Sequence, residues 1–179
     1  IDTKLYKSIL NEKDLHKLIK TLNEKSLIAV DTETSSLNPL EANLIGISFS
    51  YAPNKAFYIP LAHKKIKGLK KEIVIKKIKP ILEDPSIKKV GQNIKYDFII
   101  LKYNGIEIEP MEDTMLLSYT LDAGNNRHNM DILSDIHLGH KTISYKEIVG
   151  TGKKQLNFSD VNLEDATKYA AEDADVTLR

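Results

Sequence analysis

No cysteine occurs in this 179-residue chain, so a disulfide framework and any zinc site built on thiolates are excluded. Long apolar runs are missing too. Nothing approaches the roughly 20 residues that span a bilayer, and no charged-then-apolar leader opens the chain; a soluble, cytoplasmic protein is the default expectation. Arginine is nearly absent, since Arg127 and Arg179 are the only two among 26 basic residues and the other 24 are lysine. A formal net charge of +1 argues against a grip on duplex nucleic acid through a broad basic surface. Binding of that kind would have to come from metals, local contacts and stacking. The densest lysine stretch, Lys64 to Lys79, holds eight lysines against the single acid Glu72. Leu69, Ile73, Val74, Ile78, Ile81 and Leu82 recur there at helical spacing, the pattern of a surface helix with solvated lysines. At 41% hydrophobic content the chain is long enough for one domain with a sizeable core.

What is present is a set of acids spread over three segments. The apolar run Leu27-Ile28-Ala29-Val30 leads into Asp31-Thr32-Glu33-Thr34. Side chains on a strand alternate, so Asp31 and Glu33 point to one face if the strand continues through them. Two like charges side by side raise each other's pKa, a cost that a shared cation removes. The competing reading is a strand end running into a polar turn, because Ser35, Ser36, Asn38 and Pro39 follow at once. In the second segment, Lys88 to Asp97, a short strand enters a helix carrying Phe98, Ile99, Ile100 and Leu101. Asp97 then falls in the first helical turn, where the helix dipole also favours an acid. The third segment, Leu163 to Arg179, is alanine-rich and helical by propensity. Tyr169 and Asp173 are four apart and share one face, whereas Glu172 and Asp175 project elsewhere and read as solvated helix charges.

The order of elements predicts an α/β domain. A strand at about Leu5 to Ile9 and a helix opened by Asn11 precede strands at about Ser26 to Thr32, Asn43 to Ser50 and Ala56 to Leu61. Three strands joined by short turns make an antiparallel meander, and the later strand–helix alternation adds parallel strands. Asp113 is expected to cap a helix containing Met115 to Tyr119, and His128 to be structural. Gly150-Thr151-Gly152-Lys153 lacks phosphate-loop spacing and reads as a flexible loop. Ile1 is not an initiator methionine and Arg179 ends a helix without a cap, which suggests a single domain, residues 1–179, excised from a longer chain.

Taken together, D-x-E, N-x-x-x-D (Asn93 to Asp97) and Y-x-x-x-D in this order resemble the 3′→5′ exonuclease (proofreading) domain of bacterial DNA polymerase I, in the tyrosine-bearing branch of the DEDD exonucleases. The resemblance covers nearly the whole chain. It extends to Ala42-Asn43-Leu44-Ile45-Gly46-Ile47-Ser48-Phe49, Tyr58-Ile59-Pro60-Leu61-Ala62-His63, Asp113-Thr114-Met115-Leu116 and Tyr169-Ala170-Ala171-Glu172-Asp173-Ala174-Asp175-Val176-Thr177-Leu178. The other branch has a histidine five residues before the last aspartate. Position 168 here is Lys168, so Tyr169 decides the branch. The resemblance implies a ribonuclease H-like fold, a mixed sheet flanked by helices.

It also implies two-metal phosphodiester hydrolysis with Mg²⁺ or Mn²⁺, Zn²⁺ being possible. Asp31, Glu33 and Asp173 would bind the more tightly held ion, and Asp31 with Asp97 would reach the second. Tyr169 would orient the attacking water, because a phenol with an ordinary pKa near ~10 is a poor base at neutral pH. Leu37 aligns with a family leucine that wedges beside the terminal base, Tyr145 with an aromatic that stacks on single-stranded bases, and Arg127 with a residue near the substrate phosphates. Gln92 and Asn93 either contact the terminal nucleotide or satisfy backbone groups at the strand exit. The expected partners are a single-stranded or frayed DNA 3′ end and a polymerase domain following Arg179, in the bacterial cytoplasm near the nucleoid. The rivals are an RNA-trimming exonuclease of the ribonuclease D type and an inactive module that only binds nucleic acid or spaces domains.

Overall fold

The computed structural model describes all 179 residues. Asp2 caps a single 3-10 turn, Thr3–Leu5, and leaves only Lys7–Ser8 as strand β1. The strand expected from Leu5 to Ile9 is shorter because the backbone of its first residues closes that local turn. Asn11 opens helix α1 (Glu12–Leu22) by accepting from the Asp14 N–H. Strands β2 (Leu27–Thr34), β3 (Leu44–Ala52) and β4 (Lys55–Pro60) then form the expected meander. Helix α2 (Lys71–Leu82), strand β5 (Lys88–Gly91), helix α3 (Lys95–Tyr103) and strand β6 (Met111–Asp113) follow. Helices α4 (Thr114–Leu121), α5 (Met130–Leu138), α6 (Tyr145–Val149) and α7 (Leu163–Leu178) complete the chain. Asp113 caps α4 as expected, accepting from the Met115 N–H, and the supposed loop at Gly150 to Lys153 is partly wound into a 3-10 turn, Gly152–Lys154.

The six strands form one sheet in the order β1-β4-β3-β2-β5-β6. Pairing is antiparallel across β2, β3 and β4 and parallel at β1, β5 and β6. Ile28 and Val30 of β2 enter the main core with Ile47, Phe49 and Ile59, covered by Leu15, Leu18 and Leu22 of α1 and Val74, Ile78 and Ile81 of α2. Full burial of each aliphatic side chain is worth about 1.5–3 kcal/mol. A one-residue slip of β2 would turn that set outward, so the same burial holds Asp31 and Glu33 on the opposite face.

That opposite face carries small residues. Asp31 pairs with Ser48 and Glu33 with Gly46, and Gly46 has no room for a side chain, because a Cβ there would lie 2.1 Å from the Tyr58 hydroxyl. Ala166 and Ala170 of α7 pack with Ile45 and Tyr58, and Ala171 packs with Ala56 and Tyr6. Small side chains on both partners let the helix lie close to the sheet.

Helix α7 is buried nearly all round, which corrects the reading of Glu172 and Asp175 as solvated charges: they are 1% and 0% exposed. Asp175 accepts from the Tyr6 hydroxyl at 2.8 Å, the Asn54 N–H at 3.0 Å and the Arg179 guanidinium at 3.2 Å. Its charge is thus dissipated by groups from both ends of the chain. One lysine is also buried: Lys89 donates to the carbonyls of Asp84, Ile87 and Glu109, and burial pushes its amine down to about 8.

Candidate active site

Three elements deliver carboxylates to one end of β2. Asp31 and Glu33 come from the strand itself, and Asp173 comes from the face of α7 that lies against it. One oxygen of each lies within 4.8 Å of the others. Thr32, between the two strand acids, turns to the other side and binds Asp97 of α3 twice, through its N–H at 2.9 Å and its hydroxyl at 2.5 Å. Asp97 is therefore fastened to β2 close enough to Asp31 for its charge to act on it, in the first helical turn as expected.

Burial is the largest force on each acid's pKa, and mutual repulsion adds to it. Asp31 is pushed well above the carboxylate range by burial and then by Asp97, Glu33 and Asp173. Glu33 is raised by burial and then by Asp173 and Asp97. Asp173 is raised by burial and by Glu172, with a hydrogen bond from Tyr169 pulling the other way. Burial lifts Asp97 to about 7 although the two bonds from Thr32 oppose it. Burial and the neighbouring carboxylates also raise Tyr169, which keeps its phenol protonated. Glu33 Oε1 is buried and has no hydrogen-bond partner within the protein. A set of hard oxygen donors, crowded, desolvated and with one oxygen left over, suits a divalent cation.

The metal-free stability should depend on pH for the same reason. A carboxyl whose folded pKa exceeds its unfolded value takes up a proton on folding. The resulting stability is fully present below the unfolded value near ~4 and is lost as pH rises through the folded value, which for Asp97 is about 7. Melting followed by circular dichroism in chelator should therefore show the midpoint rising as pH falls from about 8 to about 5.5, with added Mg²⁺ stabilising most at the alkaline end. A midpoint that instead rises with pH in chelator would contradict the repulsion described here.

Aromatic residues border the carboxylates. Tyr145 on α6, 40% exposed, stacks on Phe158 at 6.3 Å and meets Tyr169 edge-on at 6.0 Å. Leu37 is 96% exposed in the turn after β2. That turn is braced by Tyr96, whose hydroxyl donates to the Ser36 carbonyl at 2.5 Å and lies 2.5 Å from the Thr34 hydroxyl. Gln92 uses both ends of its amide internally, donating to the His128 carbonyl at 2.7 Å and accepting from the Thr114 hydroxyl. Asn93 is exposed with φ +57, and its N–H donates to Asp113 at 2.9 Å. Arg127 is exposed and lines a shallow depression on α4 with Met115, Leu116 and Tyr119. His128 has a structural contact, Nδ1 to the Ser118 hydroxyl at 2.9 Å.

Sequence reasoning misses Thr32 and Phe158 and takes Glu172 for a solvated charge. Only Thr32 had a visible signal, since a hydroxyl between two acids on a strand faces away from them. Phe158 and Glu172 owe their places to packing between segments far apart in sequence.

A mixed sheet flanked by helices, with acids gathered at the end of its central strand, is a ribonuclease H-like fold. A family model described as 3′-5′ exonuclease matches residues 6–179. The chain belongs to that family, in the form that DNA polymerase I carries as its exonuclease domain. It is 43% identical over 180 residues to DNA polymerase I of Pseudomonas aeruginosa, covering 97% of this chain and 20% of that protein. To DNA polymerase I of Rhizobium leguminosarum it is 41% identical over 198 residues, covering 99% of this chain and 20% of the relative. The chain thus spans about a fifth of the length of these relatives. Among solved structures, Escherichia coli RNase D, an exoribonuclease involved in structured RNA processing, superposes with a TM-score of 0.72 at 21% identity, over 97% of this chain and 42% of that one. No helix of the protein is long and apolar enough to cross a membrane.

Proposed function

We propose that the chain hydrolyses the terminal phosphodiester at DNA 3′ ends, one nucleotide at a time, and so serves proofreading by a polymerase domain carried in the same polypeptide in the bacterial cytoplasm. The observation that carries this reading is the trio Asp31, Glu33 and Asp173 with oxygens within 4.8 Å of one another. Asp31, Glu33 and Asp173 would hold one divalent ion, and Asp97 with Asp31 would reach a second; the all-oxygen donor set suits Mg²⁺ or Mn²⁺ and tolerates Zn²⁺. Ions bound there would lower the pKa of the attacking water and offset charge on the phosphate and the departing 3′ oxygen. Tyr169, kept protonated, cannot accept the water's proton and acts by orienting it. Tyr145 beside Tyr169 and the exposed Leu37 after β2 would offer aromatic and apolar surface to unstacked bases. The exposed Asn93 and Arg127 would offer polar groups to the terminal nucleotide and its phosphates, and Gln92, its amide engaged by His128 and Thr114, would brace the strand exit.

The kinship with DNA polymerase I supports DNA as the substrate, whereas the likeness to the RNA enzyme is one of fold. Initial rates on 3′-labelled strands decide both identity and form of the substrate. DNA should be degraded faster than RNA of the same sequence. Single-stranded and mismatched 3′ ends should outpace blunt duplex ends, because a paired terminus must first be opened at a cost of a few kcal/mol; warming should narrow the gap by fraying. Faster RNA degradation would favour RNA trimming, and equal rates on saturating single-stranded and blunt duplex DNA at low temperature would contradict proofreading.

A further inference from the structure

Glu172 precedes Asp173 on α7 but faces away from the carboxylate cluster, and its side chain is 1% exposed. Both of its oxygens are engaged with one short segment. Oε1 lies 2.8 Å from His140 Nε2, and Oε2 accepts from the Ile143 N–H at 2.6 Å. That segment runs directly into α6, whose start is secured by a reciprocal capping box between Ser144 and Glu147. The first residue of α6 is Tyr145, set edge-on to Tyr169. A rigid path therefore connects the helix that supplies Asp173 to the ring that borders the site.

We propose that Glu172 and His140 form a splint that positions Tyr145 for the substrate strand. The proposal rests on reading Tyr145 as a base-stacking residue. The segment has separate ties to α5: the Ser134 hydroxyl donates to the His140 carbonyl at 2.8 Å, and the Thr142 hydroxyl donates to Asp131 at 2.7 Å. Removing Glu172 thus frees the segment from α7 without releasing it altogether, and the consequence falls on where α6 holds its ring. A mobile ring contributes less stacking to a bound strand, so binding weakens while the carboxylates that act on the phosphodiester stay in place.

The chemistry of the side chain makes a sharp test. Glutamine has the same length; its oxygen accepts from the Ile143 N–H and its amide donates to His140 Nε2 in the Nδ1-protonated tautomer, so the splint survives without the charge. On a single-stranded oligothymidylate with Mg²⁺, Glu172→Ala should raise KM about 5- to 150-fold, the range that the loss of one base–aromatic stack corresponds to, with kcat little changed. Glu172→Gln should restore the original KM. His140→Ala, which removes one arm of the splint from the segment's side, should raise KM less than Glu172→Ala and serves if that variant does not fold by circular dichroism. Combined with Tyr145→Ala, the Glu172→Ala change should add nothing. If Glu172→Gln loses as much as Glu172→Ala, or if kcat falls in both, the residue acts by its charge beside Asp173 and the splint is overturned. If Tyr145→Ala itself leaves KM unchanged, the stacking role of Tyr145 falls and the splint with it. A raised KM in Tyr145→Ala beside an unaltered KM in both Glu172→Ala and His140→Ala overturns the splint alone.

Discussion

Replacing Asp31 and Glu33 together by alanine should abolish nucleotide release while leaving the fold in place. Both side chains sit on the small-residue face of β2, and neither belongs to the aliphatic set that anchors the strand. Electrostatic stabilisation by a bound ion is worth several kcal/mol in the transition state, and each ~1.4 kcal/mol is tenfold in rate. Loss of two of the three clustered oxygens should therefore lower the rate by about three orders of magnitude or more. The same change removes two desolvated, mutually repelling acids, so the metal-free variant should melt higher than the parent at pH above about 7. A near-parental rate in metal-containing buffer would show that the reaction takes place elsewhere.

Tyr169→Phe should separate water positioning from metal holding. The ring stays packed against Phe158 and Tyr145, and only the hydroxyl is lost. Positioning or proton-transfer effects contribute about 10²–10⁴-fold at most, so the variant should be slow but measurable, and slower in kcat than in substrate binding. Metal titration by calorimetry should give an isotherm like that of the parent, because Asp31, Glu33 and Asp173 remain. Disappearance of that isotherm would make Tyr169 a structural support of the cluster. A rate equal to the parent's would remove it from the reaction.

Much of the layout was legible because alternation and helical spacing are local properties. The D-x-E pair shares a face for reasons internal to β2, Tyr169 and Asp173 share one for reasons internal to α7, and the meander follows from three apolar runs with turn residues between them. Glu172 and Asp175 escape the helical pattern because periodicity assumes one wet face, and α7 has almost none. Their partners, His140 and Ile143 for one and Tyr6, Asn54 and Arg179 for the other, come from segments whose approach no local pattern encodes. The same holds for β1, where a carboxylate cap at Asp2 diverted the backbone into a turn, and for α5 and α6, whose short helices gave too little periodic signal to be placed. Lys89 shows the complementary limit: a lysine on a strand reads as exposed until the carbonyls that receive it are seen.

The proposed reaction depends on metal and starts at the 3′ end. It is tested most directly by following a 5′-labelled single-stranded DNA on a denaturing gel, with Mg²⁺ or Mn²⁺ and again in chelator, for the parent and for Asp31→Ala with Glu33→Ala. A ladder that shortens from the 3′ end in single-nucleotide steps is expected with metal, and an intact strand both in chelator and with the double variant. Early release of the labelled 5′ nucleotide, internal cuts, or a ladder that persists in chelator would contradict the proposed reaction.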